Sequence, residues 1–140
     1  MKTMNGQTNL EFAHFFLQKL ASGDAQALAL QFAENAEWEV AGDVGALPWL
    51  GKHQGKEAIV NFVRDTAALL TSESLVIQDI LANDHRAMIL GTLASRVNAT
   101  GKLIETSFVL VLEISDRLIT SFRMLEDTFA VSQAARIVVV

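Results

Sequence analysis

The sequence predicts an α+β domain in which three N-terminal helices pack on one face of a curved antiparallel sheet. Helical spacing of apolar residues is concentrated in the first half of the chain, strand-like alternation dominates the second half, and short turn-forming sequences separate the later strands. The 140 residues suffice for one domain, 1–140, and no repeat or linker divides them.

The first two helices are predicted from capping residues and apolar spacing. Thr8 and Glu11 have the spacing of a capping box, and apolar residues follow at intervals of three and four over about 8–22. Gly23 ends this helix, because glycine readily adopts the left-handed conformation found after a helix, and Asp24 is placed to cap a short second one.

The period changes to two at residue 36, where Ala36, Trp38 and Val40 share one side of a strand. The following segment, 42–55, holds the only proline and half of the eight glycines, so a long ordered loop is predicted there. Such loops often form the rim of a pocket. A third helix is predicted over about 56–70.

The remaining chain predicts an antiparallel meander, because four strand-like segments are separated by short turns. The strands are predicted at 73–82, 86–98, 102–114 and 117–128. The C-terminal sequence RIVVV is apolar enough to add a strand or to pack at an interface.

The composition argues against several classes of partner and site. The net charge of −5 and the absence of a Lys/Arg cluster argue against nucleic acid and anionic membranes as partners. No cysteine is present and the three histidines are scattered, so no metal and no cofactor are expected. The N-terminus lacks an apolar signal core, and no apolar run approaches the roughly 20 residues of a membrane span, so a soluble, cytoplasmic protein is expected.

Three segments carry a resemblance to a known family: LASGDAQALALQFAENAEWEV, LPWLGKHQGKEAIVNFV and RLITSFRMLEDTF. In this order and spacing they resemble the nuclear transport factor 2-like superfamily, and within it the SnoaL-like and ketosteroid-isomerase-like branch, over roughly residues 8 to 133. The resemblance implies a cone-shaped α+β barrel whose concave sheet face encloses an apolar pocket. It also implies a homodimer and a hydrophobic small molecule as partners.

Two catalytic sets of this superfamily are replaced by apolar residues. Ketosteroid isomerase uses a carboxylate base with a tyrosine and a protonated aspartate as oxyanion donors. By the resemblance, the tyrosine falls on Phe16, the base on Val40 and the aspartate near Leu110. The Arg and two Asp of limonene-epoxide hydrolase fall on three further nonpolar positions, Gly91, Leu93 and Met124. Neither chemistry is therefore expected.

The SnoaL-like polyketide cyclases use an aspartate near the end of the last strand as acid and base, and the resemblance places Asp127 at that position, eight residues after Ile119. Asp127 is therefore the candidate catalytic residue. If the last strand is regular, Arg123 shares its face and could pair with it, which would weaken it as a base. Glu126 would lie on the opposite face and point to water or to a dimer partner.

The expected binding residues are mostly apolar or aromatic, and the set comprises Trp38, Phe16, Val40, Trp49, His53, Phe108, Leu110 and Arg123. Plainer alternatives stay open for several of them: Trp38 as simple core, Trp49 as an exposed loop anchor, and His53 as a solvated loop histidine.

The sequence leaves three functions open. The first is a cyclase- or isomerase-type enzyme that uses Asp127 to move a proton on a hydrophobic cyclic substrate. The second is a binding module that holds a hydrophobic small molecule without turnover. The third is a structural dimer whose cavity is filled by its own side chains. The fold alone does not choose among them.

Overall fold

The structure, a computed structural model, describes residues 6–136. The helices of this part are α1 (Gly6–Ser22), α2 (Ala25–Ala29), α3 (Lys56–Leu69) and α4 (Thr128–Ala135). The strands are β1 (Phe32–Val40), β2 (Gly51–Gln54), β3 (Leu70–Ala82), β4 (Arg86–Val97), β5 (Leu103–Ser115) and β6 (Leu118–Glu126). Within 6–136, no helix is both long and apolar enough to cross a membrane.

The six strands form one open sheet in the order β2-β1-β6-β5-β4-β3. The predicted meander from β3 to β6 is confirmed, since each of these strands pairs antiparallel with the next. Strand β1, however, pairs in parallel with β6. The sheet is therefore mixed rather than purely antiparallel, and it does not close into a full barrel.

Helices α1, α3 and α4 cover the same face of the sheet. Leu17 from α1, Phe62 from α3 and Val131 from α4 all line one cavity together with side chains of β5 and β6. We call this covered side the concave face. The opposite side, reached by alternate residues of the same strands, is the convex face.

Several boundaries differ from the sequence prediction. Strand β1 begins at Phe32, four residues earlier than predicted, and β2 lies within the predicted loop. Thr8 lies inside α1, which is already helical at Gly6, so it does not cap the helix. The last strand ends at Glu126 and is followed by an unpredicted helix, α4. Of RIVVV, residues 137–140 lie outside the described part of the chain.

Helix α4 is held at both ends. The side chain of Asp127 is its N-cap and accepts a hydrogen bond from the backbone N–H of Ala130 at 3.0 Å. The backbone N–H of Asp127 donates to Thr106 Oγ1 at 2.8 Å. At the other end, Thr100 Oγ1 donates to the carbonyl oxygen of Ala134 at 2.6 Å. These contacts satisfy backbone groups that a short helix leaves free, and they fix α4 over the sheet.

The ring of Phe108 packs against β4 at Gly91, which has no side chain. Gly91 is paired with Phe108 of β5, and a Cβ atom at position 91 would lie 2.7 Å from Phe108 Cζ and 2.5 Å from the carbonyl oxygen of Val76. A side chain at 91 would therefore displace both the ring and the neighbouring strand.

We predict that Gly91→Ala lowers the free energy of unfolding by about 1–3 kcal/mol, because the added methyl group overpacks this contact. Urea denaturation of the purified variant measures the change. Ser95→Ala, on the same strand and the same cavity, is the control and should stay within about 0.5 kcal/mol of the parent. Equal stability of the two variants would contradict the overpacking.

Candidate functional site

A cavity of about 270 Å³ lies between the concave face and the helices, and we call it the inner cavity. Its lining is apolar except for five residues, which are Thr66, Ser72, Ser74, Ser95 and Glu126. Among the described residues that line it, Glu126 is the one ionisable side chain. An apolar cavity with a few polar groups has the general character of a ligand pocket.

The polar groups of the inner cavity are separated in space. Glu126 lies on β6 directly opposite Phe108 of β5, whereas Ser72 and Ser95 face each other across β3 and β4. Strands β6 and β4 are two strand spacings apart, which is roughly 10 Å. The carboxyl group and this hydroxyl pair therefore occupy different parts of the cavity.

Glu126 titrates near neutral pH. Burial in the apolar cavity, together with the negative charge of neighbouring Asp127, raises the pKa of Glu126 to about 7. Close to that pH the carboxyl group is present in both protonation states. It can then either donate a proton or accept one, as general acid–base catalysis requires.

Asp127 and Glu126 are arranged opposite to expectation. Asp127 is exposed and its carboxylate caps α4, whereas Glu126 lines the inner cavity. The possible pairing of Asp127 with Arg123 assumed that the strand continued through residue 127, but β6 ends at Glu126. Arg123 lies beside Glu39 in the pairing of β6 with β1 and does not line the inner cavity.

The expected binding residues divide into two groups. Trp49, Phe108 and Leu110 line the inner cavity. The other five do not line it. Phe16 and Val40 are buried in the hydrophobic core, whereas Trp38, His53 and Arg123 together line a separate, more open depression of about 500 Å³ beside β1, β2 and β6. The sequence reasoning missed Glu126 itself, although alternation along β6 places it on the same face as Phe122 and Met124.

A second depression, which we call the outer cleft, has a volume of about 300 Å³ and lies beside α3. Glu57, Asn61 and Asp65 line it at intervals of four residues, so they share one face of the helix. Trp49 and Phe62 line both the outer cleft and the inner cavity, with their rings nearly perpendicular and 6.2 Å apart. These two rings therefore form the partition between the two spaces.

Trp38 and His53 support the wall of the outer cleft. Their ring centroids are 5.1 Å apart, and His53 Nε2 lies 3.1 Å from the carbonyl oxygen of Trp49, so this nitrogen carries the hydrogen. Trp38 Nε1 is buried with no hydrogen-bond partner among the described residues. His53 thus positions Trp49 through its backbone.

The loop 41–50 is fastened across the inner cavity. It contributes Leu47 and Trp49 to the lining. Asp43 Oδ2 accepts hydrogen bonds from Ser132 Oγ at 2.6 Å and from Arg136 Nη2 at 2.7 Å. These two partners hold the pKa of Asp43 below its usual value. The loop is therefore attached to the end of α4, as a fixed rim.

Comparisons with known proteins agree with this architecture. A family model described as a SnoaL-like domain matches residues 13–122. A search of proteins with curated function finds no match.

Solved structures with the same fold share little sequence with the chain. An NTF2-like protein from Burkholderia xenovorans LB400 superposes with a TM-score of 0.86 at 24% identity, covering 95% of this chain and 99% of that one. A protein from Rhodopseudomonas palustris, described as a candidate isomerase, gives 0.74 at 21% identity over 89% and 92% of the two chains. A protein with a ketosteroid isomerase-like fold from Catenulispora acidiphila DSM 44928, solved in complex with trimethylamine, gives 0.73 at 14% identity over 89% and 92%. These similarities establish the fold.

We predict that the raised pKa of Glu126 makes the folded state less stable as pH rises from about 4.5, its ordinary value, to about 7. In this window the folded protein holds the proton more tightly than the unfolded chain, so stability present below pH 4.5 is lost as the pH passes through the folded-state pKa. Urea denaturation at pH 5 and at pH 8 measures the free energy of unfolding. Between these two pH values it should fall by about 1–3 kcal/mol more in the parent than in Glu126→Gln.

Glu105→Gln removes an exposed carboxylate on the convex face of β5 and serves as the control. Its free energy of unfolding should change with pH as that of the parent does. A parent and a Glu126→Gln variant with the same pH dependence would show that Glu126 titrates normally.

Proposed function

The chain belongs to the SnoaL-like domain family, and from this premise we propose that it binds a small apolar molecule in the inner cavity and exchanges a proton with it through Glu126. The observation that carries the proposal is the position of Glu126: a carboxyl group in an apolar cavity, with a pKa raised to about 7 by burial and by Asp127. Perturbed carboxyl groups in clefts are frequent at catalytic sites.

The reaction class that suits one such carboxyl group is proton transfer at a carbon next to a carbonyl. Glu126 in its ionised form would remove the proton, and in its protonated form would return it to the same or another carbon atom. This chemistry is common to isomerases and aldol-type cyclases, and one structural relative is described as a candidate isomerase. The apolar lining supports the proposal because desolvation keeps the carboxyl group reactive near neutral pH.

The volume of the cavity limits the size of the molecule. At about 270 Å³ it exceeds a cavity of about 150 Å³, which takes up benzene. It falls just below the roughly 300–1,000 Å³ of pockets for drug-sized ligands. We therefore propose a ligand with one or two rings. The complex of the Catenulispora acidiphila relative with trimethylamine supports a small ligand.

Two alternatives remain as competing proposals. The cavity binds its molecule without turnover, or Asp127 is the acid and base in place of Glu126. The open volume argues against a third, a cavity completely filled by its own side chains. Geometry favours Glu126 over Asp127, because the Asp127 carboxylate is exposed and is occupied as the cap of α4.

We predict that the protein accelerates exchange of solvent deuterium into the carbon next to the carbonyl of a bound cyclic ketone such as a substituted cyclohexenone. NMR of the ketone in deuterated buffer measures the rate. Glu126→Gln should lower this rate by about 10²-fold or more, because it removes the proton carrier but keeps the side-chain shape.

Asp127→Asn is the matched control, since asparagine caps a helix as well as aspartate does. It should keep most of the exchange rate. Loss of exchange in Asp127→Asn alone would assign the chemistry to Asp127. Binding by calorimetry without any exchange in the parent would favour the binding module.

We also propose that a second copy of the chain covers the convex face. Pairing of β3 to β6 brings six apolar residues together there, which are Leu81, Met88, Leu90, Val109, Val111 and Leu125. Leu81 and Leu125 are 56% and 40% exposed. The helices lie on the other face, and Arg123 and Glu39 border the patch with opposite charges. A two-fold contact can pair such charges between copies.

We predict that the protein sediments as a dimer at micromolar concentration and that Leu125→Asp sediments as a monomer, because it places a charge within the apolar patch. Analytical ultracentrifugation measures both. Leu30→Asp changes another exposed leucine, 72% exposed after α2, and should remain a dimer. A monomeric parent would refute the proposed interface.

A further inference from the structure

The inner cavity contains an acid without a counter-charge. Its described lining includes no lysine, arginine or histidine, so nothing in the cavity pairs with Glu126 when it is ionised. A carboxylate in apolar surroundings is costly unless a cation compensates it. At the pH at which Glu126 loses its proton, none of the described lining residues supplies a compensating cation, so a bound ligand could supply it.

The walls near this acid suit a cation as well as an apolar group. Phe108 faces Glu126 directly across β5 and β6. Trp49, Phe62 and Phe122 also line the cavity. The faces of aromatic rings attract ammonium groups through their quadrupoles, most strongly where water is excluded.

The outer cleft carries acidic side chains, as the inner cavity does. Its described lining contains two acids, Glu57 and Asp65, one histidine, His53, and no lysine or arginine. It meets the inner cavity at the Trp49–Phe62 partition. The chain as a whole carries a net charge of −5. Clefts lined with one charge sign concentrate ligands of the opposite sign.

We propose that the ligand of the inner cavity is a small organic ammonium ion, with one apolar ring or branched alkyl group, whose charged nitrogen pairs with the Glu126 carboxylate. This inference rests on the binding part of the proposed function, because it names a ligand class for the same cavity; an ammonium ion paired with Glu126 and a ketone that exchanges a proton with Glu126 are alternative occupants. The aromatic walls enclose the apolar part and the methylene groups next to the nitrogen. The acidic side chains of the outer cleft attract the ion before it enters.

Binding of such an ion depends on the protonation state of Glu126. The elements packed around that side chain present no other titratable group to the cavity, and their lining residues are Leu17, Leu47, Phe62, Val131 and Phe108. The adjacent charge is that of Asp127, outside the cavity. Affinity for an ammonium ion should therefore rise as pH increases through about 7.

The test compares three probes of nearly equal size: cyclohexylmethylamine, cyclohexylmethanol and cyclohexanecarboxylate. Isothermal calorimetry at pH 8 should show the amine binding roughly tenfold or more tightly than the alcohol, and the carboxylate not binding. In Glu126→Gln the advantage of the amine over the alcohol should disappear. In Glu105→Gln, which removes an exposed carboxylate outside the inner cavity, it should persist.

A second measurement uses the parent protein alone, so that it does not depend on a variant that folds. The carboxyl ¹³C resonance of Glu126 reports its pKa, which should fall when the amine is bound and change little with the alcohol. Equal affinity for amine and alcohol, or binding of the alcohol alone, would overturn the ammonium proposal while leaving the apolar cavity of the proposed function intact.

Two other outcomes also decide the question. An advantage of the amine that survives Glu126→Gln but is lost in the double variant Glu57→Gln, Asp65→Asn would place the ion in the outer cleft and overturn the assignment to the inner cavity. Absence of binding by all three probes would refute the ammonium proposal, and the deuterium-exchange assay with the ketone would then show separately whether the proposed function stands.

Discussion

Strand β6 is the element on which the arrangement of the site depends. It hydrogen-bonds to β1 on one side and to β5 on the other, so it joins the two parts of the sheet. Its alternation is fixed by the burial of Phe122 against Phe16 and Phe32, with ring centroids 6.1 Å and 6.4 Å away. Once Phe122 is inside, Glu126 must face the same side, because residues four apart in a strand share a face.

Because β6 ends at Glu126, the adjacent carboxyl groups of Glu126 and Asp127 have different surroundings. Glu126 is the last residue of the strand and is enclosed by the cavity, whereas Asp127 turns outward and caps α4. The same helix supplies Val131 to the cavity wall. The capping aspartate therefore has two effects on Glu126: it fixes the helix that encloses the side chain, and its negative charge adds to the rise in its pKa. Both effects favour the protonated form of the Glu126 carboxyl group.

Features that depend on nearby residues were predictable from the sequence, and those that depend on distant pairing were not. Helix α3 and the meander from β3 to β6 follow from local periodicity and turns. The parallel pairing of β1 with β6 joins segments about 85 residues apart and has no local signal. Strand β2 has only four residues, begins at Gly51 and is followed by Gly55, and both of these glycines have positive φ, so the segment resembled a loop.

The family was correctly identified from the sequence, and the resemblance to the polyketide cyclases made Asp127 the candidate catalytic residue, whereas the structure shows its carboxylate as the cap of α4. An aspartate before TFAVSQAA has the position of a helix cap, and alternation from Phe122 already assigned Glu126 to the inner face. The family position of the cyclase aspartate outweighed both of these local signals. Physical constraints on the backbone should therefore be applied before a catalytic role is transferred to one of two neighbouring residues.

Apolar residues occupy catalytic positions of two relatives, so Glu126 is the one ionisable side chain among the described residues that line the inner cavity. Phe16 and Val40 fill the core, while Leu110 and Met124 form part of the cavity wall. Without the oxyanion donors of ketosteroid isomerase, a reaction in this cavity has few means of stabilising negative charge on the substrate. A protonated Glu126 can donate one hydrogen bond to such an oxygen, and an ionised Glu126 can pair with a cation. The ionised form of Glu126 therefore disfavours an anionic ligand, and a cation paired with Glu126 would favour that form.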